Sequence, residues 1–349
     1  MDHLDFLHGG DVYQAERNHK KGIIDFSANI NPLGLPSQVK KAILNNLDRI
    51  QHYPDPNAWI LTQKIAQHWG IGRENILIGN GSVEFIYLII FAYRPRLLLI
   101  PAPSFSEYER AGSCVGSQLR FLELDDEHEF KPDFTKISKT DLLFLCNPNN
   151  PTGNLVLKNQ EIKNLSGRLL VMDEAFMDFL PDEERHTLIR LAQKDKKIIV
   201  LRTFTKFYAV PGLRLGYLVA HEETVQRLKR HQVPWSVNTL AQLAGEYFLD
   251  DREYHRLTLQ LIANERLYLF STISKINGLK PYPSVANYLL IKIKNLKLTS
   301  SSLANELLKK GILIRDCSNF RSLNNKFIRI AVRSRKENEK LISALKDLL

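Results

Sequence analysis

Lys206 follows the apolar run Ile198-Ile199-Val200-Leu201, with Thr203 and Thr205 just before it and Arg214 eight residues beyond. An amine placed just past a buried strand loses hydration, and neighbouring cations push its pKa further down, which makes it a usable nucleophile. Two hydroxyls and a guanidinium beside it could bind one phosphate. Asp173 closes a second apolar run, Leu169-Leu170-Val171-Met172; an aspartate there is either a site acid or a helix N-cap. Asn147-Pro148-Asn149-Asn150-Pro151-Thr152-Gly153 follows a third run, where Asn-Pro and Thr-Gly pairs also simply make turns. Gly79-Asn80-Gly81-Ser82-Val83-Glu84 opens an apolar helical stretch from Phe85. It lacks the third glycine of a dinucleotide fingerprint, yet amides at a helix start still make a phosphate cup.

The elements that must position these residues are legible from hydrophobic pattern. Residues 76–78, 97–100, 142–145, 169–172, 198–201 and 217–219 are short and nearly all apolar. Continuous rather than alternating hydrophobicity predicts strands covered on both faces, hence an α/β fold with a mainly parallel central sheet flanked by helices. Polar residues directly follow several of these runs, and ligands of open α/β sheets sit at the carboxyl ends of strands. Ser37 is expected to cap a helix carrying Val39, Ala42, Ile43, Leu47 and Ile50. Beyond residue 250 a long helix, strands near 288–291, 312–314 and 327–330, and helices near 303–310 and from 337 predict a smaller α+β unit. The expected division is 1–45 as an amino-terminal segment completing that small domain, 46–250 as the large domain, and 251–349 as the small one.

At 349 residues the chain can bury a large core. Its three cysteines, widely separated, fit neither a disulfide framework nor a zinc site. No apolar run reaches the roughly 20 residues that span a bilayer, and the first residues lack a signal peptide's pattern, so a cytoplasmic protein without a membrane partner is expected. The net charge of +10 is spread over scattered lysines and arginines. That favours a solvated basic surface over a nucleic-acid footprint, and no recognition motif supports the latter. A non-catalytic basic regulator stays as the contrasting reading.

The string from Arg202 to Tyr217, the Asn147–Gly153 loop and Asp173-Glu174-Ala175-Phe176 occur in the order found in the class I and II (fold-type I) aminotransferases, and the chain resembles that family. The resemblance implies pyridoxal 5′-phosphate (PLP) carried on Lys206, with Asp173 paired to the ring nitrogen. A carboxylate there keeps the ring cationic, and a cationic ring is an electron sink. It also implies that Asn150 faces the ring oxygen, that Phe105 stacks on the ring, and that Gly81, Ser82, Val83, Thr203, Thr205 and Arg214 hold the phosphate. Tyr53 corresponds to the tyrosine that reaches a neighbouring subunit's cofactor, which implies a homodimer.

His8-Gly9-Gly10, Asp25 to Gly34, Pro234 to Asn238 and Ile314-Arg315 give a finer likeness to the family's threonine-phosphate decarboxylase branch of cobalamin synthesis, with the histidinol-phosphate aminotransferase branch next. Phe176 points to the former, since phenylalanine offers no hydroxyl to the ring oxygen. A small phosphorylated amino acid is thus the expected substrate. Arg315 and Arg329 are jointly expected on its carboxylate and phosphate, guanidinium being matched to both, with Arg321 and Arg333 as alternatives. His8, Gly9 and Asn31 are expected to close over the phosphate from the amino-terminal segment.

Overall fold

The computed structural model describes residues 8–18, 22–137, 140–165 and 167–349. A short strand β1 (Ile24–Asp25) precedes the main sheet, whose strands in chain order are β2 (Ile76–Gly79), β3 (Leu97–Ala102), β4 (Gln118–Glu123), β5 (Leu142–Cys146), β6 (Leu169–Asp173), β7 (Ile198–Thr203) and β8 (Gly216–Ala220). Their spatial order is β2-β8-β7-β6-β5-β3-β4. The five neighbours from β7 to β4 are parallel, while β8 runs antiparallel to both β7 and β2. Both faces are covered. Leu143, Leu145, Leu170, Met172, Ile198 and Val200 join one buried cluster, and the alternating Leu142, Phe144, Val171, Ile199 and Leu201 join a second on the opposite side. This two-sided burial is why β5 and β7 show continuous apolar runs.

All six predicted runs are strands of this sheet. The edge strand β4 carried no such signal, because Gln-Leu-Arg-Phe-Leu-Glu has no fully buried residue and so no need for a continuous apolar run.

A second sheet is built from β9 (Leu279–Pro281), β10 (Tyr288–Ile293), β12 (Arg315–Asp316) and β13 (Phe327–Ala331), in the order β12-β13-β10-β9, with every pairing antiparallel. The remaining strand, β11 (Ile312–Leu313), pairs in parallel with β1. Phe26 is joined to Leu313 and Ala331 by further backbone hydrogen bonds. The amino-terminal segment is therefore stitched to elements near the carboxyl end of the chain.

Five helices bear on the site and its surroundings: α1 (Val12–Asn18), α2 (Ser37–Asn45), α3 (Trp59–Trp69), α4 (Ser82–Tyr93) and α5 (Glu107–Cys114). In α2 the cap position belongs to Pro36, and no side chain caps the helix. Ser37 is its first helical residue, a correction to the expected cap. The last helix begins at Arg335, two residues before Glu337, because Ser334 and Glu337 form a capping box. No helix among the described residues is long and apolar enough to cross a membrane.

Candidate active site

The polar residues at the strand ends converge on one cavity. From the main sheet come Ser82 and Val83 at the start of α4, Cys146, Asp173 and Thr203 at the ends of β5, β6 and β7, and Thr205, Lys206 and Arg214 between β7 and β8. From the other side come His8, Gly9, Ser27, Ala28, Asn29, Arg315, Phe320 and Arg329, while Phe105, Asn150 and Phe176 complete the wall.

Lys206 is half-buried, and among the described residues its Nζ has no hydrogen-bond or ion-pair partner. Its pKa is pushed down to about 8 by desolvation first, then by Arg329 and Arg214, with Asp25 opposing. A substantial neutral fraction near neutrality makes this amine nucleophilic. Asp173 is buried, its Oδ2 accepting from the Tyr108 hydroxyl at 2.7 Å and its Oδ1 from the Ala175 N–H at 3.0 Å. Burial raises its pKa and the two hydrogen bonds oppose the rise. A cation alongside would restore the carboxylate. Tyr108 is itself fixed, fully buried and stacked on Phe144 at 4.7 Å.

The far end of the cavity is shaped for an anion. α4 starts at Ser82 with Gly81 at the cap position, so its first amides have no capping side chain among the described residues. Gly81 has φ +77°, and a Cβ there would stand 2.6 Å from Arg214 Nη2. Only glycine lets the guanidinium lie so close. The Thr203 and Thr205 hydroxyls are 2.9 Å apart. Amides, two hydroxyls and a guanidinium at one end, a nucleophilic amine in the middle and an acid pressed toward its neutral form fit PLP: a phosphate, an aldehyde and a basic ring nitrogen.

Across the cavity, Arg329 is buried. It donates to Asn150 Oδ1 and, at 2.8 Å, to the Ser27 carbonyl. Among the described residues its Nε has no hydrogen-bond partner, and its guanidinium lies 5.4 Å over the Tyr288 ring. Among the described residues no carboxylate forms an ion pair with it. A buried cation without a counter-ion is costly, so this arginine suits an incoming anion. Arg315, next to it on β12, donates to Asn319 at 2.8 Å and lies over Phe320. Desolvation lowers the pKa of both arginines. The two alternatives are engaged elsewhere, Arg321 with Glu109 and Arg333 with Glu337.

Gly81 borders the cavity without lining it, and Asn31 and Tyr53 stand clear of it. Asn31 is buried, and its amide donates to the Phe207 carbonyl at 2.7 Å and to Thr258 Oγ1 at 2.7 Å; its backbone N–H donates to the Lys206 carbonyl at 3.1 Å. It secures the lysine loop from behind rather than facing a ligand. Tyr53 is 80% exposed and stacks on Trp235 at 4.7 Å, away from this cavity. Conversely, Ser27, Asn29, Phe320 and Tyr108 were missed. Ser27 and Asn29 lay within a string used only as a likeness. Tyr108 left no signal, since its role comes from a contact with a strand end 65 positions away. Gly9 has a steric reason: a Cβ there would come 2.2 Å from the Ser27 carbonyl oxygen.

A fold with this cavity at its strand ends matches a known family. The profile of Aminotransferase class I and II covers residues 21–345, and the chain belongs to that family. It is 38% identical to the threonine-phosphate decarboxylase of Salmonella typhimurium, over 98% of this chain and 96% of that one. Among solved structures it is similar to L-threonine-O-3-phosphate decarboxylase from Porphyromonas gingivalis, with 30% identity, a TM-score of 0.83, and 93% of this chain and 98% of that one covered. The histidinol-phosphate aminotransferase from Clostridium acetobutylicum gives 31% identity and a TM-score of 0.86 over the same shares.

Proposed function

We propose that the chain is a PLP-dependent decarboxylase of L-threonine O-3-phosphate, releasing CO2 and (R)-1-amino-2-propanol O-2-phosphate, the aminopropanol linker of cobalamin biosynthesis. The observation that carries it is the pair of buried arginines, Arg315 and Arg329, facing Lys206 across a cavity that already has a separate phosphate cup. One cup serves the cofactor, and two further cations suit a substrate with two anionic groups. The Salmonella relative supports the same reading, and Phe176 supplies no ring hydroxyl of the kind expected in the aminotransferase branch. In this reading residues 46–250 carry the cofactor, and segments 1–45 and 251–349 fold together over it.

When bound, the cofactor supplies an electron sink for the pair left at Cα once the carboxylate departs. Lys206 is the amine that would hold it, Ser82, Val83, Thr203, Thr205 and Arg214 its phosphate, Asn150 its ring oxygen, and Phe105 its ring face. Asp173, fixed by Tyr108 and Ala175, holds a proton at the ring nitrogen. Arg315 and Arg329, with His8 and Gly9 at the rim, orient the substrate's carboxylate and phosphate. Lys206 Nζ, poised near pH 8, returns a proton to Cα. Phe105, Phe176 and Phe320 keep water from that atom.

The exposed Tyr53 stacks on Trp235, and Trp235 lines one surface hollow with the likewise exposed Trp59 and Val233. A surface of that kind suits a second copy of the chain, and Tyr53 would then reach the partner's phosphate cup. A cytoplasmic location fits the same reading. The test is CO2 release from threonine phosphate with and without 2-oxoglutarate. Release without the oxo acid is expected; glutamate formed from histidinol phosphate, with no CO2, would overturn the assignment in favour of transamination.

A further inference from the structure

Glu107 begins α5, a place where an acid is favoured by the helix dipole and normally stays solvated. Here it is 4% exposed. Both carboxylate oxygens are taken by residues from other parts of the chain: Oε1 by His8 Nε2 at 2.7 Å, Oε2 by the Tyr87 hydroxyl of α4 at 2.6 Å. Arg110 stands further off, 3.7 Å from Oε1. The His8 hydrogen bond is the main cause that lowers the pKa of Glu107, so the group is an anion. An ionised carboxylate only accepts, which fixes the hydrogen on Nε2 of His8. The imidazole is thereby set over the cavity wall, its centroid 5.3 Å from the Phe105 ring.

The next residues are tied at their other end. The Gly10 N–H donates to Ser27 Oγ at 2.7 Å, the same Oγ donates to Asp25 at 2.7 Å, and the Ser27 carbonyl accepts from Arg329 at 2.8 Å. Residues 8–10 thus form a strap. One end is clipped to the helices of the main sheet by Glu107, and the other to the arginine that faces the cavity.

We propose that Glu107 is a positioning residue for the phosphorylated end of the substrate, holding His8 and the strap behind it across the cavity mouth. This rests on the decarboxylase reading of the site. Burying a carboxylate is unfavourable unless its partners need it, and the hydrogen-bond partners of this one are His8 and Tyr87. Tyr87 is the second half of the device, fixing the carboxylate from the side opposite His8.

The test compares Glu107→Leu, Glu107→Gln and Tyr87→Phe in the PLP-loaded enzyme, with threonine phosphate and with unphosphorylated threonine, and follows amide exchange at residues 9 and 10. Glu107→Leu is expected to raise KM for threonine phosphate roughly tenfold, the scale of one charge-assisted hydrogen bond. The fall in kcat should be smaller, threonine should be affected less, and exchange in the strap should quicken. Glu107→Gln, still an acceptor of the same shape, should recover most of the loss, and Tyr87→Phe should fall between them. Unchanged cofactor absorbance and unchanged exchange in β5 to β7 certify the fold. An unaltered KM in Glu107→Leu, or equal losses for both substrates, overturns the proposal. Should the unaltered chain release no CO2 from threonine phosphate, the decarboxylase function fails instead, and a strap still protected in Glu107→Leu would separately overturn the clamp.

Discussion

Lys206 and Asp173 show how burial tunes single groups before any ligand arrives. Partly desolvated and facing two guanidinium groups, the lysine is half neutral at about pH 8, so PLP capture by the cofactor-free protein should accelerate as pH rises toward 8 and then level off. Stopped-flow absorbance from pH 6.5 to 9 checks this, and a flat profile contradicts it. The same shift has a sign in stability. A lysine whose folded pKa is depressed destabilises the cofactor-free protein fully below pH 8, and that cost fades as pH climbs from 8 to the ordinary lysine range. Asp173→Asn should lower kcat by roughly 10²–10³, since it removes the charge that sustains the electron sink. Tyr108→Phe should cost only about tenfold, the scale of one hydrogen bond to a charged group; steady-state kinetics on both variants read the contrast. The strand-following position of both site residues was visible in the sequence. The Tyr108 contact was not, because it joins a helix residue to a strand end 65 positions away, and no local pattern records such a pairing.

The elements, rather than their ligands, explain one position where expectation and structure part. Asn31 was expected at the substrate and instead ties the lysine loop to Thr258, on the helix Arg252–Ile273. Asn31→Ala should therefore destabilise the fold by about 2–3 kcal/mol, leaving the buried Phe207 carbonyl one donor short, and should lower Tm while scarcely changing KM. Thermal unfolding beside kinetics separates the two roles. Gly81→Ala should behave oppositely. Its Cβ would meet the guanidinium of Arg214, and φ is positive, so PLP affinity should fall at least tenfold, measurable by fluorescence titration, for a backbone strain of about 1–2 kcal/mol. The doubly covered strands were legible because burial on both faces demands unbroken apolar runs. β4 was not, since an edge strand needs no such run, and the reversed direction of β8 leaves no mark on composition at all.

At the scale of the molecule, a dimer read from Tyr53 should be visible in sedimentation as twice the 40.2 kDa chain mass, and Tyr53→Ala together with Trp235→Ala should shift it toward the monomer and weaken PLP retention. A monomer that retains PLP and full turnover would contradict the shared site. The large sheet, the cofactor loop and the family likeness could be reached from sequence because each is locally encoded. The packing of the two sheets against one cavity could not, as it depends on contacts such as that from Arg329 to Ser27, 302 positions apart.

That long-range contact has a consequence for how the protein matures. Chains emerge from the ribosome amino end first and fold as units become available. Asp173, Lys206 and Arg214 are all out while Arg315 and Arg329 are still untranslated. A nascent polypeptide can thus assemble its vitamin-binding half early, whereas its ability to discriminate between substrates arrives only with the final strands.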